Sequence, residues 1–392
     1  MNLSVLVNPR RLIAAIKYRV VNRQKMSRAI NVGKKRFAND PHFRPDLVPS
    51  YFASRPGDNR NDSAIVERII AAYQKAKLQQ QAAGEAFNIS NEWRPIYEYH
   101  LGPVMKALAA GDVSEVQRMY QNFFRDPCST GLAGLPINIP NLFAGGKIRR
   151  RYREYIMCDV LHRHELWRTR TENKYPTSAL SAPVVGNPYG YTRDGVFVRA
   201  GGDYQHYYAH AIGALLQSSA KRVVLELGGG FGGLAFYLLR DRPEVTYIDF
   251  DLPEATALAS YYLIKSLPER QIRLFGEVEL SRTVLGSPGI FLMPCFEIRN
   301  MPAKSAAVSF NSYSLAEMSP GTVRLYLDEI ARITSGYFLH LNHNRDAVLS
   351  ADDFAVEERG FTLLNRHLAG WTLGINPDSD EFEYLFRSSN SE

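Results

Sequence analysis

The sequence predicts an α/β fold in which a mostly helical N-terminal region precedes a Rossmann-like domain with a parallel sheet. Three observations support this prediction. From residue 221 onward, short apolar runs alternate with helical patterns in the order βαβ, which indicates a parallel sheet. A glycine-rich loop joins the first strand to a helix, and two β-like runs near the C-terminus suit final antiparallel strands. The predicted regions are a basic arm over 1–39, a helical cap over 40–215 and the α/β domain over 216–392.

The N-terminal region carries the helical patterns. Apolar residues recur at helical spacing over 63–82, with Ser63 as a plausible N-cap. Stretches rich in Pro and Gly predict loops over 40–62 and 128–146. Further helices are expected over 92–109, 113–124, 152–170 and 204–218. On the third of these, His162 and His164 are expected at the surface.

Positive charge is concentrated in the arm. The chain has a net charge of +7, and residues 1–39 contain ten Lys or Arg and no acid, which leaves 7 − 10 = −3 for the remainder. A nucleic-acid-binding protein usually carries its positive charge on the folded body, so no nucleic-acid partner is predicted. Leu12, Ile13, Ile16 and Val20 share one helical face. The arm therefore has three interpretations: a helix packed on the body, an amphipathic helix in peripheral contact with an anionic membrane, or a targeting presequence.

The remaining composition indicates a cytoplasmic protein. No apolar run approaches the roughly 20 residues that span a bilayer. The three cysteines are scattered and fit no metal-ligand spacing, which favours a reducing compartment; they are Cys128, Cys158 and Cys295.

The most informative segment is VVLELGGGFGGLAFYLL, residues 223–239. An apolar strand is followed by a tight glycine turn and then a helix. Glycine is needed there because the turn requires backbone angles closed to other residues, and because a ligand must approach the main chain. Gly228, Gly230 and Gly233 also satisfy G-x-G-x-x-G, so a nicotinamide enzyme is the competing interpretation.

Charge separates the two cofactors. Glu226 lies two residues before the first glycine, where it would repel a pyrophosphate and attract a methionyl ammonium. The next strand ends with Asp249 and Asp251, and an acid at that position accepts ribose hydroxyls in both cofactor classes. We therefore predict an S-adenosylmethionine site. Its expected cofactor-binding residues are Glu226, Gly228, Gly230, Asp249, Asp251 and Asn311.

Later strands end in polar residues that would meet in one crevice. Residues 305–318 and 336–344 predict the fourth and fifth strands, whereas either 272–280 or 289–298 could form the third. Methyl transfer to a hydroxyl needs alignment of the acceptor and a base for its proton.

His343 and Glu317 are the candidate catalytic residues at these strand tips. His343 is preferred, because a carboxylate of ordinary pKa is a poor base for an alcohol. Each also has a noncatalytic interpretation: His343 as a polar loop residue, and Glu317 as a carboxylate in the first turn of a helix.

Aromatic residues are expected to bind the acceptor. Aromatic faces attract a sulfonium or stack on a sugar. His206 and His210 are spaced i, i+4, but no acidic pattern accompanies them, so no metal site is predicted. The expected substrate-binding residues are Tyr204, His206, Tyr208 and Tyr313.

Several motifs together resemble a bacterial family of sugar O-methyltransferases. They are LELGGGFGGLA at 225–235, YIDFDLPEA at 247–255, FNSYSLAEM at 310–318 and EYLFR at 383–387. The resemblance covers about residues 183–388 and does not extend to residues 1–180. It implies a seven-stranded class I methyltransferase domain, S-adenosylmethionine as cofactor, and a sugar or glycan acceptor in surface polysaccharide biosynthesis. The alternatives are an O-methyltransferase of a non-sugar secondary metabolite and a noncatalytic glycan-assembly partner that retains the cofactor fold.

Overall fold

The computed structural model describes residues 9–57, 62–133, 148–345 and 347–389, with backbone only for 9–20 and 218. It confirms the predicted α/β fold. A central sheet of eight strands has the order β5-β6-β4-β3-β7-β8-β10-β9, and β1 and β2 form a separate hairpin. Strands β4, β3, β7 and β8 pair in parallel, and β10 runs antiparallel between β8 and β9. The strands are β1 (Gly190–Arg193), β2 (Val196–Arg199), β3 (Val223–Leu227), β4 (Thr246–Asp251), β5 (Ile272–Leu274), β6 (Gly289–Pro294), β7 (Ala306–Ser312), β8 (Thr334–His343), β9 (Phe361–Leu368) and β10 (Glu381–Ser388).

Both candidate third strands form. The six fully buried residues of β6 pair with β4 inside the sheet, whereas the three residues of β5 pair only with β6 and form one edge. This difference follows from composition, because a short strand with a charged residue is suited to an edge, and β5 contains Arg273.

Helices cover both faces of the sheet. Along β3, Val224 belongs to one apolar cluster, and Val223 and Leu225 belong to the other. The alternation is expected for a strand buried on both sides. The helices are α1 (Pro9–Arg36), α2 (Ser63–Ala83), α3 (Gly102–Ala110), α4 (Val113–Tyr120), α5 (Arg150–Arg170), α6 (Gly202–Leu215), α7 (Gly233–Asp241), α8 (Pro253–Ser266) and α9 (Pro320–Ile333), with short α-helical turns at Val48–Tyr51, Arg94–Ile96 and Arg282–Leu285 and a π-helical turn at Tyr97–Leu101.

Buried carboxylates join the helical N-terminal region to the sheet domain. Glu254 at the start of α8 accepts hydrogen bonds from the hydroxyls of Tyr73 and Tyr97, at 3.1 and 3.0 Å, and forms an ion pair with Lys77 at 3.0 Å. One apolar cluster also contains residues of both regions. The predicted division at residue 216 stays a prediction.

The C-terminal half of the arm belongs to the folded body. Ala29 and Ile30 are buried, and Lys34 forms an ion pair with Glu154 of α5 at 3.1 Å. The apolar side chains predicted to share a face over residues 12–20 lie outside the described side chains, and membrane contact through 1–39 stays a prediction. Within the described ranges, no helix is both long enough and apolar enough to cross a membrane.

The two histidines on α5 are buried, so their predicted surface position is wrong. His162 and His164 are 6% and 2% exposed. The Nε2 atom of His162 lies 2.7 Å from the carbonyl oxygen of Gly370, and Nδ1 of His164 lies 3.2 Å from the hydroxyl of Tyr191. Each histidine thus finds a polar partner inside the protein, which compensates for the loss of water.

Candidate functional site

A cavity of about 2240 Å³ opens where the carboxyl ends of the central parallel strands meet. The glycine loop and Glu226 line it at β3, Glu317 lines it just after the neighbouring strand β7, and Glu381 lines it at the start of β10, two strands beyond β7. Helix α5 and the N-terminal region provide the remaining walls. Open α/β sheets bind their ligands at this edge.

The glycine loop adopts backbone conformations that require glycine. Gly228 has φ +82°, and a Cβ placed on it would lie 2.5 Å from the hydroxyl oxygen of Ser314. Gly230 has φ +61°, and a Cβ there would lie 2.7 Å from the carbonyl oxygen of Leu132. A side chain at either position would therefore be strained by conformation and by contact.

Glu226 is a buried carboxylate on the cavity wall. It is 4% exposed, and its Oε2 accepts a hydrogen bond from the hydroxyl of Tyr247. Burial, with a smaller contribution from the charge of Asp251, raises the pKa of Glu226 to about 7 against the opposing effect of the Tyr247 hydrogen bond. A cation beside this carboxylate would stabilise its ionised form.

The two aspartates of β4 hold the glycine loop from different sides. The backbone N–H of Gly229 donates to Asp249 Oδ1, and that of Gly230 donates to Asp251 Oδ2, both at 3.0 Å. Asp251 lines the cavity, whereas Asp249 lies behind the loop, with Oδ2 buried and without a partner among the described residues. Burial raises the pKa of both carboxyls, and their mutual repulsion adds to the shift at Asp249.

These residues fit a cationic nucleoside better than an anionic one. The described residues include no Lys, Arg or His in an ion pair with any of the three carboxylates. These carboxylates would repel an anionic ligand, whereas an ammonium or sulfonium would stabilise their ionised forms. The glycine cradle and the carboxylates of Glu226 and Asp251 on the cavity wall are consistent with S-adenosylmethionine, whose contacts with these side chains stay predictions.

Asn311 lies beneath the glycine loop and does not line the cavity. Its amide nitrogen donates to the carbonyl oxygen of Leu227 at 2.8 Å and to the Ser314 hydroxyl at 2.6 Å, and its oxygen accepts from Asn342 at 2.9 Å. Because both hydrogens of the amide have protein acceptors, this placement suits a residue that supports the loop. The predicted direct contact with the cofactor remains untested.

The two predicted catalytic residues lie close together, but only one faces the cavity. Glu317 lines it, and its Oε2 accepts a hydrogen bond from Trp93 Nε1 at 2.6 Å. Burial raises the pKa of Glu317, while Trp93 and the charge of His343 oppose that rise. His343 is half-buried behind Tyr313, with the two rings 5.0 Å apart.

The predicted substrate-binding residues divide into two groups. Tyr204 and Tyr313 line the cavity, with their rings stacked at 6.3 Å. Tyr208 donates a hydrogen bond to Glu383 at 2.7 Å within the core, and His206 accepts one from Trp167 at 3.1 Å. Only the first turn of α6 borders the cavity, which is why these later residues of the helix lie away from it.

The structure adds two charged residues that the sequence analysis missed. Glu381 opposes His343 in the register of β10 and β8, and it lines the cavity. Arg163 lines it from α5. A signal for Arg163 was available in its i, i+4 spacing from Asp159, whereas the register that places Glu381 is not visible in the sequence.

Within the described residues, no group of three or more His, Cys, Asp or Glu side chains is arranged to hold a metal ion. The Nδ1 atom of His210 lies 2.8 Å from the hydroxyl of Tyr175.

Comparisons with known proteins give one sequence likeness of moderate strength. No protein-family profile matches the chain. Over 109 residues it is 30% identical to a phenazine O-methyltransferase from Lysobacter antibioticus, and the matched segment is 28% of this chain and 31% of that protein. The chain thus spans about a third of the curated relative that it matches.

Solved structures of methyltransferases are more distant likenesses. The mitomycin 7-O-methyltransferase has 16% identity and a TM-score of 0.34, covering 48% of this chain and 56% of that one. The magnesium protoporphyrin IX methyltransferase from Synechocystis PCC 6803, solved with bound S-adenosylmethionine, has 12% identity and a TM-score of 0.35, covering 48% and 77%.

Proposed function

We propose that the protein is an S-adenosylmethionine-dependent O-methyltransferase that acts on a hydroxyl of a small metabolite. The observation that carries this proposal is the group of three carboxylates at the glycine loop, which has no described cationic partner: Glu226 and Asp251 line the cavity, and Asp249 is buried behind the loop. Such a group excludes a pyrophosphate on electrostatic grounds and favours a positively charged nucleoside. The local likeness to a phenazine O-methyltransferase supports an oxygen acceptor.

The roles of the residues follow from where they lie. Glu226 would hold the ammonium group and Asp251 the ribose hydroxyls, while the glycine loop leaves room for the nucleoside. S-adenosylmethionine supplies an electrophilic methyl group when it is bound. The acceptor hydroxyl would lose its proton to a base on the cavity wall beyond the glycine loop as its oxygen takes up the methyl group. Glu317 borders that region directly, and His343 lies behind it.

A non-sugar secondary metabolite is the better supported acceptor, because the curated relative acts on a phenazine. A sugar hydroxyl, which the motif resemblance implies, is the narrower alternative. The cavity volume of about 2240 Å³ exceeds the usual range of roughly 300–1,000 Å³ for small-molecule sites, so it accommodates a cofactor together with an acceptor of either kind.

Calorimetry tests the proposal at its first step. We expect S-adenosylmethionine and S-adenosylhomocysteine to bind, and NAD to show no measurable heat under the same conditions. Methyl transfer is then measured as S-adenosylhomocysteine release with a panel of phenolic and sugar acceptors. Binding of NAD, or of neither adenosyl compound, would contradict the assignment of this site.

A further inference from the structure

Glu381 presents an unsatisfied carboxylate at the acceptor end of the cavity. It is the first residue of β10, is 4% exposed, and lines the cavity. Its Oε2 is buried and has no hydrogen-bond partner among the described residues, although the hydroxyls of Thr372 and Tyr313 lie near the carboxyl group and lower its pKa. A buried carboxylate oxygen without a donor is costly, so this atom is suited to receive a hydrogen bond from a ligand.

Arg163 provides donors in the same part of the cavity. Its Nε contacts both carboxylate oxygens of Asp159 at 3.0 Å, which fixes the side chain along α5. The described residues provide no acceptor for its Nη1 or Nη2. The side chain is 19% exposed and lines the cavity.

Arg163 and Glu381 are near each other but not paired. The segment 369–374 connects them: the N–H of Ala369 donates to the carbonyl oxygen of Glu381 at 2.8 Å, and a Cβ on Gly374 would lie 3.1 Å from Cα of Asp159. The described structure has no ion pair between Arg163 and Glu381 within 4.0 Å. In an enclosed site, a guanidinium and a carboxylate normally close into direct contact. Here the hydrogen bonds from Nε to Asp159 hold the guanidinium in place. This leaves a gap with the Nη donors of Arg163 on one side and the Glu381 carboxylate, an acceptor, on the other.

Two stacked tyrosines, Tyr204 and Tyr313, also line the cavity near this gap. Tyr204 lines the cavity, and its hydroxyl hydrogen-bonds that of Ser312 at the end of β7, a strand that lies between β3 and β10 in the sheet. Tyr313 stacks on Tyr204 and has φ +66°, an unusual conformation for a bulky residue, and its N–H donates to the carbonyl of Leu341 at 2.7 Å. Backbone strain of this kind persists where the surrounding structure holds it, commonly at functional sites.

We propose that the acceptor carries two oxygens on adjacent carbons, so that the hydroxyl to be methylated donates to Glu381 while its neighbour accepts from Arg163. This inference rests on the proposed function and names the substrate class of the same site: 1,2-diols, catechols and α-hydroxy carbonyl compounds. On methylation, the acceptor oxygen would form its bond to the methyl carbon as the carbon–sulfur bond breaks and leaves its electron pair on sulfur, and the hydroxyl proton would pass to the Glu381 carboxylate. A lone hydroxyl could satisfy only one of the two protein groups and would leave the other without a partner.

Binding of matched fragments tests this proposal without turnover. The probes are catechol against phenol and trans-1,2-cyclohexanediol against cyclohexanol, titrated by ligand-observed NMR into the full chain saturated with S-adenosylhomocysteine. We expect the member with two oxygens to bind at least ~10-fold more tightly in one pair or both, since each lost polar contact costs about 1–3 kcal/mol. Equal affinity within both pairs, or no binding by any probe, would overturn the proposal.

Substitutions test whether Arg163 and Glu381 cause the preference for probes with two oxygens. Arg163→Lys keeps the charge and removes the planar fork, and we expect it to reduce the preference to within about twofold. Arg168→Lys, an exposed position on the same helix, is the matched control and should keep the full preference. Because Arg163→Lys leaves Asp159 poorly paired, the double variant Arg163→Gln/Asp159→Asn removes both charges together and should give the same loss. A preference that survives in either variant would contradict the role of Arg163.

Glu381→Gln separates binding from proton transfer. The amide oxygen of glutamine still accepts a hydrogen bond, so we expect catechol affinity to change by less than about threefold and methyl transfer to catechol to fall by roughly 100-fold. Unchanged transfer would remove Glu381 as the proton acceptor. Calorimetry with S-adenosylmethionine on the same samples tests the proposed function separately, because fragment preference does not depend on methyl transfer.

Discussion

Around the glycine loop the carboxylates of Glu226, Asp249 and Asp251 lie together without a cation, whereas beyond β3 in the sheet Glu317 and Glu381 lie near His343, and Glu381 also lies near Arg163. The positive charges there oppose the rise that burial causes in the pKa of these two glutamates. At the glycine loop, Glu226 has only the hydroxyl of Tyr247 to oppose burial and the charge of Asp251. The first region is therefore incomplete without a cationic ligand, whereas the second contains charges of both signs and is suited to a neutral, polar acceptor.

Reversing one charge in each region is expected to have the largest effect and tests the comparison most directly. Glu226→Lys places a cation where the ligand's own charge is expected, so the affinity for S-adenosylmethionine should fall by at least ~100-fold. Glu381→Lys is the matched reversal at β10, away from the glycine loop, and should leave that affinity within about twofold while methyl transfer is lost. Calorimetry measures both affinities. Equal losses in the two variants would show that the two regions do not differ as proposed.

The pH dependence of cofactor binding gives the next largest effect. The pKa of Glu226 is raised to about 7 by burial and the charge of Asp251. A cation binds more tightly to the ionised carboxylate, so S-adenosylmethionine should gain roughly 10-fold in affinity between pH 5.5 and 7.5. Calorimetry across this range measures the gain, and Glu226→Gln should reduce it. Affinity that is flat or that falls with pH would contradict the assignment.

Stability of the cofactor-free protein should change with pH in the opposite direction. Because the folded protein holds a proton on Glu226 that the unfolded chain releases near its ordinary pKa, stability is highest below about pH 4.5 for this group and declines toward pH 7. The full effect of such a shift is roughly 3 kcal/mol. Thermal unfolding at pH 5.5 and 7.5 should show a lower Tm at the higher pH, and saturating S-adenosylmethionine should reverse more of the loss there.

The same contrast explains how much of the site could be predicted. The glycine loop and its acids come from the contiguous segment 223–251, where strand, turn and strand follow one another and local patterns determine what lies together. The acceptor end combines Trp93, Arg163, Glu317 and Glu381 from four separate segments. Their meeting depends on strand register and on how α5 packs, and neither is visible in local sequence.

The helices and strands were also predictable from local patterns. Helix α2 and strands β3, β7 and β8 follow from hydrophobic periodicity and were found close to their predicted bounds. Burial of individual faces was harder to predict: α5 buries His162 and His164 because tertiary partners are available for both rings. In α6, periodicity places Tyr204 and Tyr208 on one face, but only the first turn of that helix reaches the cavity.

His343→Gln should have the smallest effect of these changes and the most specific one. His343 does not line the cavity but lies behind Tyr313, opposite Glu381 in the sheet register. Its charge lowers the pKa of Glu317 and of Glu381, so its removal should raise both values and move the acid limb of the kcat profile to higher pH. We expect kcat to fall by about 10-fold at neutral pH, with the affinity for S-adenosylmethionine unchanged.

The pH profile of kcat is measured as S-adenosylhomocysteine release with the best acceptor of the panel. His343→Lys, which places a positive charge at the same position, should restore part of the shift. A loss of activity without any shift of the acid limb would mean that His343 acts on the acceptor directly, as the sequence suggested, and not through the two carboxylates.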